Sequence, residues 1–472
     1  MKSYLRLPIM FGLIFLLAYS STLLFASPGD VEAEEVTRPR AKKEVDVSVR
    51  ETNSTISQRL MSVFGMVFLL GTAYVFSTNK RAVNWKLVAW GVGMQIIFAL
   101  IILRSAWGKA AFEYFRRFFD VILGFTAEGG EFLFGTLAVR DPGIAQANVP
   151  LFAFSILPTI IFFSSLMAVL YHLGLVQVIV RGMAWVMMKT MGTSGAESLS
   201  SAANVFVGQT EAPLVVKPYV KEMTLSELHT LMVGGLATVA GGVMAAYVQM
   251  GVSAGHLLSA SVMSAPAALV MSKILLPEED EPKTAGDVSM NIPKVDVNVI
   301  DAAARGAGEG LQLALNVGAM LLAFIALIAM ANHGVGLIHD HIFPYWWFPE
   351  NLEVFFGWCF SPLAFIMGTP WKDCGYVGTL MGLKTVVNEF VGYQRLAEWK
   401  ADSSIILSKR AEVIATYALC GFSNLSSIAI QLGGLGSMAP SRKHDLAKLG
   451  IRALVGGSLA CFMTATVAGM IM

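Results

Sequence analysis

The feature that most constrains this chain is a series of eight apolar runs, each close to the roughly 20 residues that an α-helix needs to cross a bilayer. Charged residues make up only 14% of the chain and the mean hydropathy is +0.62, whereas soluble domains carry about 25% charged residues. We therefore expect an all-α integral membrane protein with eight transmembrane helices, a multi-pass protein of the cell inner (plasma) membrane. The runs are Leu60–Ser77, Leu87–Leu103, Leu151–Leu173, Leu228–Met250, Leu257–Leu275, Leu311–Ala331, Ile405–Leu432 and Leu449–Ile471.

The N-terminus has the features of a secretory signal. Lys2 and Arg6 precede an apolar stretch from Leu7 to Ala26, and residues 27–58 are polar, charged and without helical or strand periodicity. This order predicts a signal peptide or an uncleaved signal anchor at 1–26, followed by a disordered segment at 27–58. Both alternatives place residues 27–58 outside the cytoplasm.

Basic residues in two short loops predict the orientation of the chain. The loop "NKRAVNWK" after the first run and the loop "SRKHDLAKLGIR" before the last are rich in Lys and Arg, which is typical of cytoplasmic loops. With the N-terminal segment outside and eight crossings, both loops lie inside. The linker Pro277–Arg305 then lies inside as well, and its composition is that of a flexible connection.

Two stretches that are apolar but interrupted predict re-entrant hairpins. Ser194–Met223 contains "GQTEAP" and Ser361–Tyr393 contains "GTPWKD" and "NEF", so Gly, Pro and a carboxylate break each of them. Non-helical backbone enters a membrane only where it is buried in protein or lines water. Two further stretches, "WGKAAFEYFRRFFDVILGF" and "VQVIVRGMAWVMMKTM", have the composition of interfacial helices.

The two hairpins also predict an internal repeat. Each is followed by a polar or Gly-interrupted run, "VGGLATVAGGVMAAYVQMG" in one case and "YALCGFSNLSSIAIQLGG" in the other. Such corresponding broken segments are typical of inverted-repeat secondary transporters, whose site lies at the repeat interface. We divide the chain into the signal at 1–26, the polar segment at 27–58, an N-terminal transmembrane scaffold at 59–173, a first half of the transport core at 174–275, a cytoplasmic linker at 276–305 and a second half of the transport core at 306–472.

From about Leu60 onward, the chain resembles the concentrative nucleoside transporters. The stretch "GQTEAPLVVKPYVKEMTLSELHTLMVGGLATVAGG" is similar to the signature of that family, and "PWKDCGYVGTLMGLKTVVNEFVGY" with "TYALCGFSNLSSIAIQLGGLGSMAP" is similar to its second half. The resemblance implies a symporter that takes up nucleosides such as uridine, cytidine or adenosine, in a homotrimer. It does not cover the N-terminal signal and polar segment.

The resemblance also implies the substrate-binding residues. Gln209, Thr210 and Glu211 would contact the base, with Val243 packed against it. Glu389, Asn424 and Ser427 would hold the ribose, with Phe422 packed against the sugar. The chemistry agrees, because an uncharged nucleoside needs amide and hydroxyl groups for its base and carboxylate acceptors for its ribose, and a desolvated site built for a hydroxyl rejects analogues that lack it.

A sodium ion is the coupling ion that the resemblance implies, and no other cofactor is expected. Its ligands would be Asn204, Thr238 and the backbone carbonyls of Val207 and Val239, since hard cations prefer oxygen ligands. A proton-coupled nucleoside permease is the alternative. Its bacterial branch has a "GQSEN"-like hairpin, so the "GQTEAP" of this chain favours sodium.

Each candidate residue also has a purely structural interpretation. Glu211 could pair with Lys217 or Lys221, and Glu389 could lie at the membrane surface beside Lys384. Asn424, Ser426 and Ser427 could join helices by hydrogen bonds. The four glycines of the first broken run could simply permit close packing, and they are Gly234, Gly235, Gly241 and Gly242.

Other classes of protein have weaker support. Lys plus Arg (34) nearly balances Asp plus Glu (33), so no nucleic-acid partner is expected. The four cysteines form no CxxC pair and are interpreted as packing residues. An intramembrane metalloenzyme lacks its motif, since no HExxH occurs, and His339 to His341 are interpreted as part of a surface loop. A channel differs from a symporter in that it does not accumulate its solute.

The predicted orientation can be tested by cysteine labelling in cells. We expect Lys283→Cys to react with a membrane-impermeant maleimide only after permeabilisation, because the linker is predicted to be cytoplasmic. Thr37→Cys in the polar segment is the control and should react in intact cells. The unsubstituted chain corrects for the four native cysteines, and labelling of position 283 from outside would refute the orientation.

Overall fold

The computed structural model describes residues 54–138, 152–284, 296–341, 349–402 and 405–472, and in these residues it contains helices and no strand. The predicted signal at 1–26 lies outside the described residues. The α-helices are α1 (Ile56–Val75), α2 (Trp85–Arg104), α3 (Ala106–Phe134), α4 (Phe152–His172), α5 (Leu175–Met191), α6 (Gly195–Ala203), α7 (Leu225–Leu236), α8 (Gly241–Gln249), α9 (Ala254–Leu275), α10 (Val299–His341), α11 (Leu352–Ile366), α12 (Cys374–Val386), α13 (Glu389–Ala401), α14 (Lys409–Leu419), α15 (Leu425–Met438) and α16 (Lys443–Ile471).

The first helix begins inside the segment that was predicted to be disordered. Thr55 caps α1, because its hydroxyl accepts from the backbone of Gln58 at 3.4 Å and the Gln58 side chain accepts from the backbone of Thr55 at 3.1 Å. This reciprocal pair is a capping box, which fixes the start of a helix. The disordered segment therefore ends no later than position 53, and residues 27–53 lie outside the described part.

Seven helical segments of the described residues are long and apolar enough to cross a membrane, which confirms an all-α membrane protein. The count is seven, whereas the sequence predicted eight, because the run Ile405–Leu432 is divided into α14 and α15 and neither helix is long enough alone, whereas α7 and α8 follow each other closely enough to form one segment. Gly421 in the break has φ +157°, and a Cβ there would lie 2.5 Å from the Cys461 sulfur. The candidate spans are Ile56–Val75, Trp85–Arg104, Ala153–His172, Leu225–Gln249, Ala254–Leu275, Val299–His341 and Pro440–Ile471.

Both predicted hairpins contain short helical arms that pack against each other. In the first, α6 packs against a 3₁₀ helix at Ala212–Tyr219. In the second, α12 packs against α13, and the chain turns at Val387 and Asn388. The predicted interfacial stretches are helical too, in α3 and α5. Their placement in the membrane remains an expectation from the sequence.

The same order of elements occurs twice, as the repeat predicts. A first arm (α6 or α12) and a second arm (Ala212–Tyr219 or α13) precede a broken helix (α7 with α8, or α14 with α15) and then a long helix (α9 or α16). The two long helices pack against each other, and α16 also packs against α7 and α14. The two halves therefore share one buried core.

A buried charge cluster joins the first hairpin to the linker. The Lys273 ammonium pairs with Glu197 and, at 2.9 Å, with Glu278. Nearby, Glu227 accepts from the hydroxyls of Ser194 at 2.7 Å and Thr284 at 2.9 Å. A cavity of about 670 Å³ lies beside the cluster, and none of the predicted site residues lines it. The cluster fastens the starts of α6 and α7 to the end of α9.

We expect Lys273→Met to lower the free energy of unfolding by about 3–5 kcal/mol, because removing one partner of a buried ion pair leaves the carboxylates uncompensated. Thermal unfolding of the purified protein measures the loss. Lys283→Met is the control, since the Lys283–Glu222 pair at 3.2 Å is exposed and such pairs contribute about 0–1 kcal/mol. Equal shifts for the two variants would show that the cluster does not stabilise the fold.

Candidate functional site

The breaks in the two interrupted helices touch each other. The backbone N–H of Phe422, in the second break, donates to the carbonyl of Thr238, in the first, at 3.1 Å. A Cβ at Gly421 would lie 2.9 Å from the Ala237 carbonyl carbon, so only a glycine permits this approach. The first break is also held to the first hairpin, because the N–H of Gly241 donates to the carbonyl of Phe206 at 3.1 Å. Both broken helices and the first hairpin therefore meet at one place.

A continuous chain of hydrogen bonds joins four of the predicted substrate residues there. The Gln209 amide nitrogen donates to the Ser427 hydroxyl at 3.2 Å. The Ser427 backbone N–H donates to the Asn424 side-chain oxygen at 2.9 Å, and the Asn424 side-chain nitrogen donates to Glu389 Oε2 at 3.0 Å. All four residues are buried. The structure thus brings together, from both halves, residues that lie up to 218 positions apart.

Glu389 is a buried carboxylate that is held by its surroundings. It is 5% exposed and is the first residue of α13, whose N-cap is Asn388. A helix N-terminus favours negative charge. Tyr247 donates its hydroxyl to Glu389 Oε1 at 2.8 Å. The interpretation of Glu389 as a surface residue beside Lys384 is wrong, because both side chains are buried.

Polar groups with unmet hydrogen-bonding capacity lie at the Gln209 end of the chain of bonds. The side-chain oxygens of Gln209 and Gln431 are buried and have no hydrogen-bond partner among the described residues. Both side chains pack against Gly235, since a Cβ there would lie 2.6 Å from the Gln431 nitrogen and 2.9 Å from Gln209 Cβ. A buried group without a partner is costly, so these two oxygens are candidate acceptors for hydrogen bonds from a ligand.

The other predicted substrate residues lie near this chain of bonds in sequence but are not part of it. Thr210 donates to Glu211 Oε1 at 2.9 Å, and Glu211 is exposed. No ion pair joins Glu211 to either nearby lysine within the described ranges. Val243 is buried on α8, and Phe422 is partly buried in the second break. Their contacts with a substrate stay predictions.

Tyr247 and Gln431 were not among the residues predicted from the sequence. Tyr247 is completely buried, its ring lies 4.4 Å from that of Tyr393, and its hydroxyl orients Glu389. In the sequence it stands inside an apolar run, so nothing distinguishes its hydroxyl from a packing residue. Gln431 could have been found, because it follows Ser427 by four positions and residues at that spacing share a helix face.

The first hairpin and the first break contain oxygen atoms that suit a hard cation. Asn204 donates its side-chain nitrogen to the Ser200 carbonyl at 3.1 Å, while its buried side-chain oxygen has no partner among the described residues. Thr238 donates to the Gly234 carbonyl at 3.0 Å, which leaves its oxygen free to bind an ion. Val207 precedes the hairpin tip and Val239 lies in the break. Neutral oxygens are the type of ligand that a hard cation such as sodium prefers, and these four residues stay the predicted ligand set.

All four glycines that the sequence analysis noted permit close approach. A Cβ on any of them would lie within 3.3 Å of an atom of another segment, including the Asn204 nitrogen at 3.3 Å from Gly234 and the Phe206 carbonyl at 2.9 Å from Gly241. The glycines of the first broken helix therefore permit close packing, and some of the atoms that pack against them belong to candidate site residues.

Three family models match the chain. They are the Na+ dependent nucleoside transporter N-terminus at residues 64–137, the nucleoside recognition gate at 153–254 and the Na+ dependent nucleoside transporter C-terminus at 256–469. Together they account for most of the residues from the first helix to the end of the last.

Curated relatives and solved structures agree with these models. An uncharacterized transporter of Haemophilus influenzae is 45% identical over 87% of this chain and 97% of its own length. Solute carrier family 28 member 3 of Rattus norvegicus is 42% identical over 88% of this chain and 59% of its own. Sodium/nucleoside cotransporter 1 of Mus musculus is 40% identical over 88% of this chain and 64% of its own length. This chain thus spans about three fifths of the length of these two rodent relatives.

The structure of CNTnw in an inward-facing substrate-bound state superposes with a TM-score of 0.81, at 43% identity over 87% of this chain and 97% of that one. An outward-facing CNTnw variant gives a TM-score of 0.83, at 42% identity over 88% of this chain and 98% of that one. Taken with the site geometry, these likenesses show that the chain belongs to the concentrative nucleoside transporter family, the Na+ dependent nucleoside transporters, and is a multi-pass membrane protein.

Proposed function

We propose that this chain is a secondary active symporter that takes nucleosides into the cell and is driven by an inward sodium gradient. The observation that carries the proposal is the buried carboxylate of Glu389, which Asn424 and Tyr247 orient at the meeting point of the two broken helices. Hydrogen bonds through Asn424 and Ser427 connect Glu389 to Gln209 on the first hairpin. On the same hairpin, the buried side-chain oxygen of Asn204 has no partner among the described residues. Substrate site and ion site would therefore share one hairpin.

The chemistry of a nucleoside matches the two ends of this chain of bonds. A carboxylate accepts about four hydrogen bonds, and Glu389 accepts one side-chain bond on each oxygen, so it retains capacity for the vicinal hydroxyls of a ribose. Gln209 and Gln431 offer buried amide oxygens to the donors of a base. We propose Asn424 and Ser427 as further ribose contacts, and Thr210, Glu211, Val243 and Phe422 as the remaining contacts of base and sugar.

The proposed sodium site consists of Asn204, Val207, Thr238 and Val239. The family models and a rodent relative carry sodium in their names, and the unpaired oxygen of Asn204 supports the same ion. Proton coupling has no support from the comparisons. The described residues contain no group of three or more His, Cys, Asp or Glu side chains that could hold a metal ion. The proposed ligands are therefore neutral oxygens.

We also propose that the chain is divided into the N-terminal scaffold and the two halves of the transport core given above, and that it forms a homotrimer. α10 packs along α4, but of its 43 residues only five are buried in the single chain. Its exposed side chains include Leu322, Met330 and Leu327. This apolar surface, and the resemblance to a trimeric family, support a scaffold face that contacts lipid or neighbouring copies.

We expect Glu389→Gln and Asn424→Ser to weaken nucleoside binding by roughly tenfold or more, because a lost bond to a charged group costs about 1.5–3 kcal/mol. Calorimetry with uridine measures the effect on the purified protein. Asn424 also caps α15 through the Ser427 N–H; serine keeps this capping role, while it removes the donor to Glu389.

Asn351→Ser is the matched control for the second variant, since Asn351 caps α11 through the Val354 N–H at 2.9 Å and lies outside the site. It should leave uridine binding unchanged. Near-unchanged uridine affinity in both site variants, with thermal stability preserved, would show that the ribose is held elsewhere.

We expect sodium and nucleoside to strengthen each other's binding by the same factor, typically 5- to 150-fold. The physical reason is that Asn204 and Gln209 lie on one hairpin, so an ion that orders its tip also forms the base site. Calorimetric titrations in both orders, in sodium and in choline buffer, measure this reciprocity. Equal uridine affinity in the two buffers would contradict the sodium site.

Thr238→Ala should weaken the dependence on sodium and leave residual binding at saturating nucleoside, because it deletes one oxygen ligand. Thr416→Ala is the matched control. Its hydroxyl makes the same kind of bond, to the Glu412 carbonyl at 2.8 Å, in the last turn of the corresponding helix α14. It should leave the sodium dependence unchanged.

A further inference from the structure

Lys384 is a completely buried cation that the proposed site does not use. Its side chain is 0% exposed, and its ammonium donates to the carbonyl of Ala418 at 2.7 Å. The ammonium also lies 5.8 Å from the centre of the Phe462 ring. No carboxylate forms a direct ion pair with it in the part of the chain that the structure describes, although its charge acts on the buried Glu389 from a longer distance. Burying an ammonium without a direct ion pair costs several kcal/mol, so this charge needs an explanation.

The position of Lys384 supplies one. It lies in the last turn of α12, and Ala418 lies in the last turn of α14, immediately before the second break. The free carbonyls at the end of a helix carry about half a negative charge. Two such ends therefore face each other in the second half of the molecule, and the ammonium of Lys384 lies where a cation is favoured.

The first half of the molecule has the same pair of helix ends. Asn204 follows the last residue of α6, and Gly234 lies in the last turn of α7 before the first break. A Cβ at Gly234 would lie 3.3 Å from the Asn204 nitrogen and 3.5 Å from the Ser201 hydroxyl, so the two ends are in contact. Here the polar atoms are oxygens without a partner among the described residues, on Asn204, Ser200 and Ser201.

At this pair of helix ends the two halves differ in their polar groups, because the first half has unpartnered oxygens and the second has the ammonium of Lys384. We infer that the ammonium of Lys384 is a built-in cation, which occupies in the second half the place that the coupling ion occupies in the first. This inference rests on the sodium site proposed above. Lys384 is a positioning residue: it fixes α12 against α14 without an external ion, and the chain turns from α12 to the ribose-binding Glu389 only five residues later.

Substitutions that separate charge from size test the inference. Lys384→Met keeps the length of the side chain and removes its charge, and Lys384→Arg keeps the charge. We expect Lys384→Met to lower uridine affinity in saturating sodium by about tenfold or more, since the charged hydrogen bond that holds α12, and with it Glu389, against α14 is lost. Lys384→Arg should retain more affinity than Lys384→Met. Lys448→Met, at an exposed position of α16, is the control and should bind as the unsubstituted protein does.

Chemical rescue distinguishes a cation from a packing role. Lys384→Ala leaves a space in which a small cation can bind, so ethylammonium should restore part of the uridine affinity and thermal stability that the variant loses. Ethanol, which has a similar size and no charge, should not. In addition, uridine binding to Lys384→Ala should depend more steeply on sodium concentration than binding to the unsubstituted protein, because sodium can then occupy both places.

Three results would overturn the inference. They are unchanged uridine affinity in Lys384→Met, equal rescue by ethanol and ethylammonium, and an equal loss in Lys384→Met and Lys384→Arg. If Lys384→Ala does not fold, the comparison of the Met and Arg variants decides. Failure of the sodium proposal is detected separately, because uridine would then bind the unsubstituted protein equally well in sodium and in choline.

Discussion

Backbone that leaves the helical conformation inside a membrane protein must find its hydrogen-bond partners within the protein. In this chain the backbone groups of the two broken helices satisfy that requirement partly by bonding to each other. The N–H of Phe422 donates to the carbonyl of Thr238, and the Gly241 N–H donates to the first hairpin at Phe206. Each break is thereby held in place, and the side chains next to the breaks are brought to one point. The assembly of the site follows from this constraint.

The crossing of the breaks also explains why polar and charged groups are buried there. Asn424 caps α15 and at the same time orients Glu389, so one side chain satisfies both a helix start and a carboxylate. Helix ends before the breaks favour positive charge, and helix starts after them favour negative charge. The unpartnered oxygen of Asn204 at one helix end, the ammonium of Lys384 at another and the carboxylate of Glu389 at a helix start are consistent with that distribution of partial charge.

Much of this arrangement was predictable from the sequence. Apolar run lengths predicted all seven candidate spans, and the interrupted segments predicted where the hairpins and the repeat occur. The polar residues inside those segments included Gln209, Glu389 and Asn424, which the structure joins through hydrogen bonds. A polar group in an apolar setting is informative because its burial is costly, and this makes such residues the most reliable signals in a membrane sequence.

Other features depended on tertiary contacts that no local pattern contains. The run from Ile405 to Leu432 is apolar enough for one span, yet Gly421 and Asn424 divide it, because a second broken helix crosses at that point. The hydroxyl of Tyr247 has a role only through its distance to Glu389. The burial of Lys384 was not predictable either, because the carbonyl that its ammonium binds lies 34 positions away, on Ala418.

The central claim is that a sodium gradient drives nucleoside accumulation by this chain. Its most direct test is the uptake of radiolabelled uridine into proteoliposomes that contain the purified protein. With an inward sodium gradient, uridine should accumulate above its external concentration and the accumulation should disappear when sodium is equal on both sides. Uptake that is the same in choline and follows an imposed pH gradient, or that never exceeds the external concentration, would contradict the account.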